Sequence, residues 1–140
     1  MIKIKSLEEI AIMKEGGALL ARALKASVQL ARPGVSMREI DQLAEETIRA
    51  GGGTPSFLGY QASGDQPKFP ATICLSVNNE VVHGPGNRRR VLVEGDVLGL
   101  DLGCWYRGLA TDMAVTVPIG TILPDECLLI ERTRKALKIA

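Results

Sequence analysis

Two aspartates and one histidine are the residues of this sequence best placed to do chemistry. Asp101 stands in Val97-Leu98-Gly99-Leu100-Asp101-Leu102-Gly103, and Asp112 in Thr111-Asp112-Met113-Ala114-Val115-Thr116-Val117. Both stretches alternate with the period of a β-strand. Leu98, Leu100 and Leu102 share one face, which leaves Asp101 on the other between Gly99 and Gly103, where no side chain crowds it. Met113, Val115 and Val117 make the apolar face of the second stretch, and Asp112 shares the opposite face with Ala114 and Thr116. Paired as a hairpin turning at Tyr106-Arg107, the strands set Asp101 directly opposite Asp112. Directly opposed residues hold their Cβ atoms about 4.5–5.5 Å apart. Two carboxylates that close repel, so one takes up a proton or a cation stands between them. A hard divalent ion suits oxygen donors, and two ions about 3.5–4 Å apart can share such ligands. The competing reading is a pair of surface aspartates near strand ends.

His83 is the only histidine of the chain. It closes a predicted strand, Glu80-Val81-Val82-His83, just before Gly84-Pro85-Gly86. There it is either a structural hydrogen-bonder or, if it faces the carboxylates, a group that contacts a substrate amide or moves a proton. All five aromatic residues fall between Phe57 and Tyr106, which points to an apolar pocket in that segment or to ordinary core packing.

The elements that position these residues are helical first and stranded later. Ser6 and Glu9 form a capping box ahead of Ile10, Met13, Gly17, Leu20 and Leu24, a helix that stops before Pro33-Gly34. Ser36 and Glu39 repeat the signal ahead of Ile40, Leu43, Thr47 and Ile48, and Gly51-Gly52-Gly53 ends that helix. A polar loop is predicted at residues 61–68, a strand over Ala71–Val77, and a turn at Asn78-Asn79 before the strand that His83 closes. Glu94-Gly95-Asp96 turns into the first aspartate strand. A last helix starts near Pro124-Asp125 with Leu129, Thr133, Ala136, Leu137 and Ala140 on one face, and the chain ends inside that pattern. This order predicts an α+β fold in a single domain spanning residues 1–140.

Composition bounds the rest. Hydrophobic residues at 46% and charged residues at 24% exclude a disordered or collagen-like chain. No apolar run reaches the roughly 18 residues of a membrane span, and Met1-Ile2-Lys3-Ile4-Lys5 does not read as a secretory signal. Seventeen Lys and Arg against sixteen Asp and Glu give a net charge of +1, which argues against nucleic acid or an anionic membrane as partner. Arg88-Arg89-Arg90 reads as a solvated loop. Cys74, Cys104 and Cys127 are odd in number and widely spaced, so neither a disulfide framework nor a structural zinc site is expected, and the setting is reduced and cytoplasmic.

The run from Phe69-Pro70-Ala71-Thr72 through Asn78-Asn79-Glu80-Val81-Val82-His83-Gly84, then Glu94-Gly95-Asp96-Val97, Asp101, and Asp112 eleven positions on, resembles the methionine aminopeptidases of bacterial type I. The resemblance runs from the first helix to the last residue. It implies the N-terminal half of a pita-bread fold, and removal of the initiator methionine from nascent proteins in the cytoplasm. It further implies two divalent metal ions per complete site, drawn from Co, Mn, Fe or Zn. By position, Asp101 matches a bidentate ligand of one metal and Asp112 the carboxylate that bridges both. His83 matches the histidine that contacts the substrate and steadies the scissile amide, while Phe57, Tyr60, Phe69 and Cys74 match the lining of the methionine pocket. The implied partner is the N-terminus of a nascent peptide or protein, with the ribosome as one meeting place.

Pro85-Gly86 follows His83-Gly84 where the family usually has Ile-Pro, the stretch from Tyr60 to Phe69 is longer than usual, and Ala110-Thr111 precedes the second aspartate in place of His-Gly. The remaining implied ligands, a histidine and two glutamates, belong to a second half that is not in this sequence. A missing C-terminal half, or a second copy of the chain, is therefore an expected partner, and the chain alone is expected to hydrolyse little. The alternatives are a non-catalytic pita-bread module that binds peptides, a homodimer of half-domains, and a proline-specific dipeptidase of the same fold.

Overall fold

The computed structural model describes residues 4–140; Met1 to Lys3, part of the segment read as carrying no secretory signal, lie outside the described residues. Helices α1 (Leu7–Leu30) and α2 (Met37–Ala50) come first, followed by strands β1 (Thr54–Pro55), β2 (Ile73–Val77), β3 (Val97–Tyr106) and β4 (Leu109–Pro118), then helix α3 (Pro124–Ile139). Both capping boxes form. Ser6 N–H donates to Glu9 Oε2 at 2.7 Å and Glu9 N–H to Ser6 Oγ at 3.1 Å. Ser36 N–H donates to Glu39 Oε2 at 2.9 Å, and Ser36 Oγ takes Arg38 N–H at 3.3 Å. These bonds satisfy first-turn amides that have no partner within the helix.

β3 is the spine of an antiparallel sheet, with β4 along one side and β2 and β1 along the other. Its buried Leu98, Leu100, Leu102 and Cys104 meet Leu20, Ala23 and Leu24 of α1 and Ile40, Ala44 and Ile48 of α2, and Met113, Val115 and Val117 of β4 pack on the margin of that core. One face of the sheet is thus covered by two helices. The other, carrying Gly99, Asp101, Gly103, Asp112, Ala114 and Thr116, is left for the site. No helix among the described residues is long and apolar enough to cross a membrane.

Several expectations are corrected in detail. The buried stripe of α1 starts at Gly16, where a methyl group would come within 3.0 Å of Tyr106 Cβ, and Ile10 lies in the exposed turns before it. Glu80–His83 is not a strand. The Glu80 carboxylate takes the Val77 N–H at 2.9 Å, and Asn78 and His83 adopt φ of 58° and 60°, which a strand does not allow. The return alongside β2 is made instead by Gly84–Gly86, through Leu75 N–H to the Gly84 carbonyl at 2.7 Å and Gly86 N–H to the Ile73 carbonyl at 3.0 Å. The Asn78-Asn79 turn forms as expected, with Asn78 Nδ2 donating to buried Asp96 at 2.8 Å. α3 forms where predicted, but none of its residues is buried; Leu129 and Leu137, on its expected apolar face, remain open.

Candidate metal centre

The hairpin sets the geometry. β3 and β4 turn at Arg107-Gly108, with φ of 47° and 80°. A two-residue turn of this kind needs positive φ at both positions, and a glycine supplies one without strain. Turning there, and not at Tyr106-Arg107, pairs Asp101 with Ala114 and Asp112 with Gly103. The direct opposition expected for the two aspartates is therefore corrected to a diagonal one. A shift of two residues keeps both carboxylates on the same face, and diagonal neighbours have Cβ atoms up to roughly 7–8 Å apart, within reach of a shared ion.

Asp101 is partly buried, and its Oδ1 is enclosed with no hydrogen-bond partner. Burial, and after it the charge of Asp112, push its carboxyl above the usual range, while His83 and the Leu102 amide pull the other way. An enclosed carboxylate oxygen lacking a partner, beside a second carboxylate, suits a hard cation. The donor set is incomplete: among the described residues no three His, Cys, Asp or Glu side chains form a metal-holding group.

Glycines make the room. A methyl at Gly103 would run into Ser56 Oγ and come within 3.1 Å of both Asp112 Oδ2 and Phe57 Cε1. Phe57 therefore stands beside Asp112, and it meets Phe69 edge-on at 6.5 Å between ring centroids. Gly59 N–H to the Phe69 carbonyl and Phe69 N–H to the Tyr60 carbonyl, both 2.8 Å, close the loop that holds the two rings. Tyr60 is exposed on its rim. The aromatic grouping is narrower than expected, because Tyr106 turns away to pack on Gly16 and Trp105 is half exposed. Cys74 sits across from Asp101 on β2, and burial, reinforced by Asp101, Asp112 and Asp41, pushes its thiol up to about 12. His83, Asp101 and Thr116 border a groove of about 1020 Å³ whose far wall is α3, with Leu129 and Thr133.

Three supporting groups lie outside the expected set. Asp41 is buried on α2 and accepts the Thr72 and Ile73 amides at 2.8 and 3.1 Å, fixing the start of β2. Its place beside Ile40 on the apolar stripe was the available signal. Ser56 is the second, next to Asp112 at Gly103. The third corrects the solvated basic loop: Arg88 is half-buried and forks onto Glu80, while Arg90, though exposed like Arg89, reaches buried Asp96 at 3.2 Å.

Residues 11–140 match the model of metallopeptidase family M24. Methionine aminopeptidase 1 of Bacillus subtilis is 40% identical over 138 residues, which cover 98% of this chain and 52% of that protein. The methionine aminopeptidase of Aquifex aeolicus is 35% identical over 136 residues, 97% of this chain and 53% of its own length. A crystal structure of the Thermotoga maritima methionine aminopeptidase superposes with a TM-score of 0.91 at 34% identity, covering 99% of this chain and 53% of the other. The chain thus spans about half the length of the relatives it matches. The shared architecture is the α+β pita-bread fold. By this match along nearly all its length, the chain belongs to metallopeptidase family M24.

Proposed function

We propose that this chain contributes part of the site of a metal-dependent methionine aminopeptidase, which removes the initiator methionine from the N-terminus of nascent proteins. The observation that carries the reading is the enclosed, unpartnered Oδ1 of Asp101 on the same open sheet face as Asp112. Asp101 and Asp112 would hold divalent metal, two ions in a complete site. Such an ion supplies Lewis-acid polarisation of a peptide carbonyl and a lowered pKa for water. Two carboxylates offer at most four oxygens, fewer than such ions need, so the remaining donors come from a further half of the protein or from a second copy.

His83, the chain's sole imidazole, contacts the peptide at the groove and steadies the scissile amide. Phe57 and Phe69 give the methionine side chain an apolar wall, Tyr60 closes its rim, and Cys74 lines its floor as a neutral thiol at physiological pH. The metal is one of Co, Mn, Fe or Zn, and the place of action is the cytoplasm, at the ribosome.

The test measures methionine release from a Met-Gly-X peptide in the presence of Mn²⁺ or Co²⁺. The reading expects turnover, weak for this chain alone, that Asp112→Asn removes and Arg89→Met leaves unchanged. Turnover indifferent to both Asp101→Asn and Asp112→Asn would end the assignment.

A further inference from the structure

His83 occupies a backbone conformation that a residue with a β-carbon holds only under restraint, at φ 60°. Val81 and Val82, the two residues just before it, are 90% and 61% exposed and do not supply the restraint. Arg88 supplies a candidate. Its Nη1 donates to Glu80 Oε1 at 2.6 Å, its Nη2 to Glu80 Oε2 at 2.8 Å and to the Leu75 carbonyl at 2.9 Å, and its Nε to the Pro85 carbonyl at 3.0 Å. One planar group therefore ties a residue before His83 and a residue after it to the edge of β2. The bonds pass close beneath the next residue: a methyl at Gly84 would run into the Leu75 carbonyl and lie 2.8 Å from Arg88 Nη2. Gly84 N–H also donates to Ser76 Oγ at 3.2 Å.

We propose that Arg88, through its fork onto Glu80 and the Leu75 and Pro85 carbonyls, is a positioning residue that holds the His83 turn at the mouth of the groove. The proposal rests on the reading of His83 as the group that meets the peptide. A guanidinium makes all these bonds in one plane, whereas an ammonium is a point donor. Lysine at this position therefore restores the charge and not the clamp.

With a single histidine, the imidazole signals of the ¹⁵N-labelled chain belong to His83 without further assignment. Arg88→Met and Arg88→Lys are expected to shift those signals toward their unfolded positions. They should also speed amide exchange at Gly84 and Gly86 by about tenfold or more, while Leu98 and Leu100 in β3 stay protected. Glu80→Gln, which keeps the side-chain shape, should act in the same direction, and Arg89→Met should change nothing. Unmoved His83 signals and unchanged Gly84 exchange in Arg88→Met would overturn the proposal. So would loss of protection across β3 together with the loop, because Arg88 would then brace the fold and not the turn. The spectra read the turn with no peptide present. If the clamp is found but His83→Ala binds a Met-Gly-X peptide as tightly as the unaltered chain, the role given to His83 fails and the clamp stands.

Discussion

Asp112 faces Gly103 across the β3–β4 hairpin, one diagonal step from Asp101. That step lets two acid groups share a sheet face without direct opposition. It also makes Gly103 the residue whose missing side chain keeps the space between Asp112, Ser56 and Phe57 open.

Filling that space should therefore be costly. Gly103→Ala is expected to destabilise the chain by about 1–3 kcal/mol, the usual range for an overpacked site, and to weaken cation binding as well. Gly17→Ala is the contrast, since nothing lies within 4 Å of a methyl there and the residue is inside α1. It should stabilise by about 0.5–1 kcal/mol. Urea unfolding of the two variants checks both signs.

The turn at His83 should show its strain in a similar comparison. His83→Gly is expected to be about 1 kcal/mol more stable than His83→Ala, because glycine takes a positive φ without the β-carbon penalty. Equal stabilities by thermal unfolding would mean that the turn relaxes when the imidazole is removed.

Glu80 makes stability depend on pH in a defined window. The fork from Arg88 is the largest influence that lowers its carboxyl from the usual 4.5 to about 2. The unfolded chain then binds more protons across that interval, so stability rises with pH from about 2 to 4.5 and is lost as pH falls back through it. Glu80→Gln should lower the melting temperature at neutral pH, and the gap from the unaltered chain should close toward pH 2. A gap that stays constant across the series would contradict the pairing.

The sequence was most legible where structure is local. Ser6 with Glu9 and Ser36 with Glu39 announce two helix starts within four residues each, and both form. The alternation around Asp101 and Asp112 places each carboxylate on the open face, as found. The hairpin register was harder, because alternation is indifferent to a slip of two residues; only the Arg107-Gly108 pair, able to take positive φ, marks the true turn. Glu80–His83 looks like a strand until the fork from Arg88, eight residues on, is known, and no periodic pattern announces that bond. α3 shows the converse, since its helical period is plain while Leu128, Leu129, Leu137 and Ile139 stay exposed.

The central claim is that Asp101 and Asp112 together hold a divalent cation, and Mn²⁺ titrated into the ¹⁵N-labelled chain tests it most directly. Paramagnetic broadening should begin at the amides of Gly99 to Gly103 and of Asp112 to Ala114, spare α1, and disappear in Asp112→Asn. Broadening that starts elsewhere, or that persists unchanged in both Asp101→Asn and Asp112→Asn, would contradict the account.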